Sequence, residues 1–339
     1  MVHINNMNKK VSKSSKFRFL QAVDIQPMDD SFHGNIKLLD IEWWYFDAVF
    51  EDGYSVHIGF RIYHVRRFGI LQSRIDIYKD GKVIAEELKI DLFSKFVVDA
   101  HFPTIKIGDK TVVKFDNDAY GRNKKWRYNV KFSINDNAVD LLFTGTTKGW
   151  KIETLDTCWV VPLPKAVVTG EITANGKKLQ VKGLGYHDHN WSYSPVTAMN
   201  NLGWYWGRIS SDTINITWAK TIQNRDKTDI IAVINKDGGI FCNVDPENVD
   251  ISTDNYALNN RGEIPNFFNL KINDETKDKI YCQVKMNTID TQYTRIFTIK
   301  YWRYHVIANG RISIGNYYED ISNKPQIIEF LKFKSKNFN

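Results

Sequence analysis

The chain has 339 residues, 42% hydrophobic and 25% charged. Those proportions exclude a disordered chain, and the length makes two domains the prior expectation. No stretch reaches the apolar length that crosses a bilayer as a helix, and the first eighteen residues lack the apolar centre of a secretory signal, so an intracellular protein is expected.

The net charge of +7 raises the question of nucleic acid, but its position argues against that partner. Lys9, Lys10, Lys13, Lys16 and Arg18 near the start and Lys332, Lys334 and Lys336 near the end carry eight positive charges, which leaves the body near −1. Solvated tails are the simpler reading; weak attraction to an anionic membrane surface is the sharper one. Three cysteines, Cys158, Cys242 and Cys282, are odd in number and widely spaced, which points to buried thiols rather than a disulfide framework or a zinc site.

After the basic segment 1–18, residues 19–40 carry Pro27, Asp29, Asp30, Gly34 and Asn35 and show no period. From Ile41 onward, runs rich in aromatic and β-branched residues are separated by turn signals. These are Asp52-Gly53, Asp80-Gly81, Gly108-Asp109, Asn135-Asp136-Asn137, Asn175-Gly176, Asp237-Gly238-Gly239, Asn273-Asp274 and Asn309-Gly310. That cadence predicts antiparallel β-structure throughout, with roughly sixteen strands in two barrel-like halves, since about eight close one small barrel and closure hides strand edges. Residues 326–333 fit either a closing strand or a short helix. The alternation lapses over 194–201, so the expected units are 19–195 and 196–339.

The most polar of these runs is Gly185-Tyr186-His187-Asp188-His189-Asn190-Trp191. In a strand, Tyr186, Asp188 and Asn190 point one way, and His187, His189 and Trp191 the other. One face offers a proton-donating Tyr186/Asp188 pair. The other offers two imidazoles that could begin a metal site, although no third ligand stands at matching spacing and a structural histidine pair bonded to Asn190 or to backbone is the simpler reading. Six of ten tryptophans (Trp43, Trp44, Trp159, Trp191, Trp204 and Trp206) lie in or beside this segment and three others, which suggests a shared aromatic wall.

Four of these segments together resemble the carotenoid 1,2-hydratase (hydroxyneurosporene synthase) and AttH-like family. They are Glu42-Trp43-Trp44-Tyr45-Phe46, Trp159 with Pro162-Leu163-Pro164, Gly185 to Trp191, and Trp204-Tyr205-Trp206-Gly207-Arg208, in family order across residues 42–208. The resemblance implies an all-β chain of two tandem lipocalin-like barrels, and relatives that include isoflavonoid hydratases and Diels–Alderase-type cyclases. It carries the family's acid and its tyrosine onto Asp188 and Tyr186, and an upstream aromatic onto Trp159. The chain departs from the pattern at Thr157, where the hydratases tend to have histidine, and at Ser192, where glycine is usual.

Hydrating an isolated alkene requires a proton delivered to carbon, brief tolerance of a cation, and one water. A carboxylic acid among aromatic rings supplies the proton, because burial disfavours its charged form; an indole face tolerates the cation. The expected assignment is Asp188 as acid and Tyr186 as its orienting partner. Trp159, Trp44, Trp204, Trp206, Glu42, Thr157 and Asn190 are expected around a hydrophobic, isoprenoid-like substrate, with Glu42 either bordering the pocket or paired with Arg208. No cofactor and no metal are required. A cyclase or isomerase using the same pocket, and a lipocalin-like carrier that leaves its ligand unchanged, are the alternatives.

Overall fold

The structure, a computed structural model, describes residues 21–34, 40–66, 68–153, 157–193, 201–223, 227–259, 262–276, 279–296 and 299–333. The basic segment 1–18, Lys334, Lys336 and the expected unit boundary at 195/196 lie outside the described residues. No helix among them is long and apolar enough to cross a membrane.

The chain is all-β and forms two antiparallel sheets curled into barrels in tandem. The first sheet contains β1 (Asp40–Phe50), β2 (Tyr54–Val65), β3 (Phe68–Lys79), β4 (Lys82–Leu92), β5 (Phe96–Val98), β6 (Ile105–Ile107), β7 (Lys110–Phe115), β8 (Arg127–Ile134), β9 (Asn137–Gly145), β10 (Trp150–Glu153), β11 (Cys158–Ala174) and β12 (Lys177–Tyr193). The second contains β13 (Gly203–Ser210), β14 (Ile214–Ile222), β15 (Thr228–Lys236), β16 (Ile240–Asn243), β17 (Val249–Asn259), β18 (Gly262–Asp274), β19 (Ile280–Ile296), β20 (Ile299–Ile314) and β21 (Tyr317–Lys332). In each barrel the first strand pairs with the last, β1 with β12 and β13 with β21.

The described residues thus hold 21 strands rather than about sixteen. The excess includes β5, β6, β10 and β16, pieces of three or four residues too short to show alternation. Most turn signals do join hairpins. Asp80-Gly81 and Asn175-Gly176 have positive φ at both residues (51° and 83°, 50° and 78°), as tight hairpins of matching twist require. Asn309-Gly310 is different: it lies inside β20, at a shift in the β20–β21 register. A Cβ at Gly310 would meet Gln283 O at 2.0 Å, so this glycine serves a close strand approach and not a turn. Residues 326–332 continue β21 as strand, and Lys332, at its end, is buried rather than part of a solvated tail.

Inward-facing side chains fill each barrel. Trp44, Phe46, Phe60, Phe143 and Val168 pack in the first; Trp218, Phe268, Met286, Trp302 and Phe330 pack in the second. A third cluster, with Tyr45, Trp150, Val161, Tyr186, Trp206, Val233 and Ile327, occupies the seam where the outer faces meet. Polar ties cross the same seam: Ala22 N donates to Asn243 Oδ1 at 2.6 Å, and Trp150 Nε1 donates to Asn235 Oδ1 at 3.1 Å. Cys158 and Cys282 are buried and Cys242 half-buried, and none of the three is in a disulfide.

Gly207 shows how the core positions the seam. A Cβ there would sit 2.5 Å from the Trp218 ring, so glycine lets that indole lie against β13 inside the second barrel while Trp206 and Arg208 project outward. Gly207→Ala should therefore destabilise the chain by about 1–3 kcal/mol through overpacking. Chemical denaturation measures this, and an unchanged midpoint would contradict the packing described.

Candidate active site

Strand β12 alternates as a strand should. Its outward residues Asn190, Asp188 and Tyr186 pair with Trp43, Tyr45 and Asp47 of β1, and Trp159 of β11 stands beside Asn190 on the other side. The register of β11 against β12 shifts on either side of Leu163, where Pro162 and Pro164 lack the N–H that a regular ladder needs. Ser192 has φ +59° beside the β1–β12 register shift, a conformation that glycine adopts without strain. The departure from the family's glycine therefore falls at a left-handed position.

Asp188 is 6% exposed and lies in the seam. Tyr186 Oη donates to its Oδ2 at 2.9 Å, Trp159 Nε1 donates to the same oxygen at 3.1 Å, and Asn190 Nδ2 donates to Oδ1 at 3.2 Å. All three partners are neutral. Burial pushes the carboxyl up to about 8; the Tyr186 and Trp159 hydrogen bonds pull it down, and the nearby Glu329 and Asp47 raise it further. At neutral pH the group is therefore mostly a carboxylic acid.

The cations of the seam are engaged elsewhere. Arg208 Nη2 lies 2.5 Å from Asp47 Oδ1, and Arg303 Nη1 lies 2.6 Å from Glu329 Oε1, all four side chains being buried. Between them, Tyr45 Oη accepts from Arg303 Nη1 at 2.5 Å and stands 2.8 Å from Asp47 Oδ2 and 2.9 Å from Glu329 Oε1. With one proton, the phenol donates to one of these carboxylates at a time. Tyr301 Oη donates to Glu329 Oε1 at 2.6 Å. The Arg208 guanidinium also lies 5.9 Å from the Tyr186 ring centroid, joining this network to the partner of Asp188.

Aromatic rings enclose the same face. Trp206 lies 5.0 Å from Tyr186 and 5.6 Å from Tyr45, and Trp159 meets Trp150 edge-on at 5.1 Å. Trp204 and Trp43 each stand edge-on to Tyr193, at 5.5 and 5.7 Å. Trp43, Trp159, Trp204 and Asn190 are only partly buried, so part of this aromatic wall reaches solvent. Thr157 is half-buried two residues before Trp159, and its hydroxyl donates to the Trp191 carbonyl at 3.4 Å, not to Asp188.

The opposite face of β12 points into the first barrel and corrects several expectations. Trp44 lies there, stacked on His189 at 4.1 Å, on the far side of the sheet from Asp188; Trp43, not Trp44, belongs to the seam. Glu42 does not pair with Arg208. Its Oε1 lies 2.9 Å from His189 Nε2 and 3.0 Å from His33 N, inside the barrel, because even-numbered residues of β1 face inward. Neither histidine contacts Asn190: His187 bonds Tyr45 O at 2.9 Å and Asp30 Oδ2 at 3.0 Å, and His189 Nδ1 lies 3.4 Å from Asp30 Oδ1.

Asp30 was hidden in the irregular lead-in. It ends a 3-10 turn, Pro27–Asp30, that plugs this barrel, and it also accepts from Tyr128 Oη at 2.7 Å. Burial opposes its charge, but His187 and then His189 outweigh that and hold it near 2. His189 is raised in turn: burial works against its proton, and Asp30 and Glu42 overcome it. These imidazoles are held by carboxylates as framework, and no group of His, Cys, Asp and Glu with metal-holding geometry occurs among the described residues.

Comparison with known proteins agrees with this architecture. No model of a protein family matches the chain. Over 87 residues it is 29% identical to the quinolone epoxide rearrangement protein asqO of Emericella nidulans, a match that covers 25% of this chain and 24% of asqO, so the similarity spans about a quarter of that relative. An AttH-type protein of Nitrosomonas europaea superposes with a TM-score of 0.63 at 16% identity, covering 92% of this chain and 97% of that one. CghA in complex with Sch210972 gives 0.66 at 12% identity, covering 95% and 97%. Kievitone hydratase from Nectria haematococca gives 0.54 at 11% identity, covering 86% and 88%. At these identities the superpositions establish a shared fold: this chain has the tandem barrels of AttH-type and hydratase-type proteins.

The elevated Asp188 has a consequence for stability. The unfolded chain ionises this carboxyl near 3.8 and the folded chain near 8, so the fold binds the proton more tightly. As pH rises between those values, the group costs the fold about 1.4 kcal/mol per unit. Asp188→Asn removes that cost, so the variant should gain stability relative to wild type steadily from about pH 4 to about pH 8 and then level off. Melting curves across this range provide the check; parallel pH profiles for the two proteins would contradict the burial described.

Proposed function

We propose that the chain is a cofactor-independent enzyme in which protonated Asp188 delivers a proton to a hydrophobic, isoprenoid-like small molecule held against the seam tryptophans, so that an alkene is hydrated. The observation that carries this reading is the carboxyl itself: buried, bonded among the described residues only by neutral donors, and beside partly exposed indoles.

The chemistry balances within the site. The Asp188 proton forms a new C–H bond at the less substituted alkene carbon, and the other carbon becomes cationic. Indole faces of the wall, Trp204 among them, stabilise that cation by about 2 kcal/mol per well-placed ring when desolvated. Trp159 contributes differently, since its N–H edge is already bound to Asp188. Water then forms the C–O bond, and its surplus proton returns to the Asp188 carboxylate, which restores the acid. Tyr186 and Trp159 fix Oδ2 throughout, so the carboxyl does not have to reorganise during transfer.

A second reading has its own support. The stretch shared with an epoxide rearrangement protein, together with Thr157 in place of the hydratases' histidine, fits protonation of an epoxide or carbonyl oxygen followed by rearrangement or cyclisation without water. The same acid serves both reactions, and oxygen labelling separates them. Incubation of prenyl-bearing aromatic and terpenoid alkenes in ¹⁸O-water should give a product that has gained one labelled water; an isomeric product without label would favour rearrangement. A carrier would bind, quench tryptophan fluorescence and release its ligand unchanged.

Asp188→Asn should lower kcat about 10²- to 10⁴-fold, the usual worth of a positioned general acid, while ligand affinity measured by tryptophan quenching stays within a small factor. In the wild type, turnover should fall as pH rises past about 8, where the acid is lost. Turnover unaffected by the substitution would remove Asp188 from the reaction.

A further inference from the structure

Reading Asp188 as the acid leaves open which oxygen holds the proton and what becomes of it, and the geometry constrains both. Oδ2 receives Tyr186 Oη at 2.9 Å and Trp159 Nε1 at 3.1 Å. An indole N–H can only donate; the Tyr186 hydroxyl could turn to accept, but its own hydrogen would then have no acceptor among the described residues, so a proton on Oδ2 is disfavoured. Neither ring can readily withdraw: Tyr186 is fully buried against Trp206 and Tyr45, and Trp159 is packed against Trp150. The acid proton therefore belongs on Oδ1. The polar group at Oδ1 is the Asn190 amide, two residues along the same face of β12, with Nδ2 at 3.2 Å.

In that orientation Asn190 donates, which suits a carboxylate. With the proton on Oδ1, two donors would meet head to head. A half-turn of the amide replaces its NH₂ by its carbonyl oxygen, which accepts the proton. Asn190 is half-buried, and the turn is a rotation of its amide about one side-chain bond, whereas either ring would have to leave its packing against Trp150 or Trp206.

We propose that Asn190 is a positioning residue whose side-chain amide turns with the proton of Asp188: its carbonyl faces the acid, and its NH₂ faces the carboxylate. In the acid state the NH₂ points away from Asp188 toward the exposed side of Asn190, where it donates to an oxygen of the substrate or of a bound water. The ligand best suited to the site is thus an oxygenated apolar molecule rather than a bare hydrocarbon. After the proton has moved to carbon, the amide turns back. Its NH₂ then stabilises the new carboxylate, and its carbonyl, now outward, accepts a hydrogen from the adding water, which turns the water's lone pair toward the cation.

Among the described residues, the other titratable or charged groups around Asp188 are Tyr186 on its own strand, Tyr45 and Asp47 on β1, Arg208 on β13, Arg303 on β20 and Glu329 on β21; Trp159, from β11, brings no charge. The cations among them are bound to Asp47 and Glu329, so the Asn190 amide is the group free to answer a change at Oδ1.

The test needs no ligand. In wild-type protein labelled with ¹³C and ¹⁵N, the Asn190 side-chain amide resonances should move between pH 5 and 9 with the midpoint of the Asp188 carboxyl carbon, and that transition should vanish in Asp188→Asn. Asn190→Asp, which cannot turn to donate once ionised, should raise the Asp188 midpoint by about one unit or more. An Asn190 amide that stays still through the Asp188 transition, an Asp188 ionised across the whole range, or an unchanged midpoint in Asn190→Asp would each overturn the proposal. Should Asp188→Asn retain turnover while the coupled titration is present, the acid assignment fails and the coupled amide stands.

Discussion

Everything distinctive about this chain depends on one carboxyl group that the fold buries with no counter-ion among the described residues. The seam contains two buried arginines, which would be enough to neutralise Asp188 if either reached it. Arg208 is taken by Asp47 and Arg303 by Glu329, and Tyr45 ties the two pairs together. What remains for Asp188 is an indole N–H, a phenol and an amide. A buried carboxylate with only neutral donors is poorly solvated, and two further carboxylates nearby make its ionisation worse. The proton is kept because the cations are committed elsewhere.

The two barrels meet in a way that produces this inequality. Each closes its first strand on its last, and each last strand presents a carboxylic side chain outward into the seam, Asp188 on β12 and Glu329 on β21. For Glu329, the facing residue on the adjacent strand β20 is Arg303. For Asp188, the neighbour from β11 is Trp159. One carboxyl is thereby paired with a guanidinium and the other left with neutral donors. The charges that keep it so come from both barrels, so neither barrel alone contains the complete arrangement. An acid of this kind is not specific to one reaction, which is why alkene hydration and epoxide rearrangement can be written on the same residues.

Much of this was legible in the sequence, and the misses have physical causes. Alternation along Tyr186 to Trp191 separated the acid face from the histidine face, and most Asp-Gly and Asn-Gly pairs fell at hairpins, because both signals are local. The adjacent pair Trp43-Trp44 was harder. Period two requires one of them to face each way, but only the β1–β12 register says which, and it assigns Trp43 to the seam. Glu42 followed the same phase into the barrel, away from Arg208. Asp30 gave no periodic signal, since it sits in a 3-10 turn, and its partners arrive from residues about a hundred positions or more away. Arg303 and Glu329 lie in ordinary-looking strands of the second barrel, where nothing local marks a residue that contacts the first.

Direct titration of the Asp188 carboxyl carbon by NMR, in the intact protein without ligand, addresses the central claim with the fewest assumptions. The account predicts an ionisation midpoint near 8, with the group protonated at pH 6. A midpoint near 4, where an ordinary solvated aspartate ionises, would show that the seam does not withhold its charges from Asp188, and the chemistry assigned to it would fall.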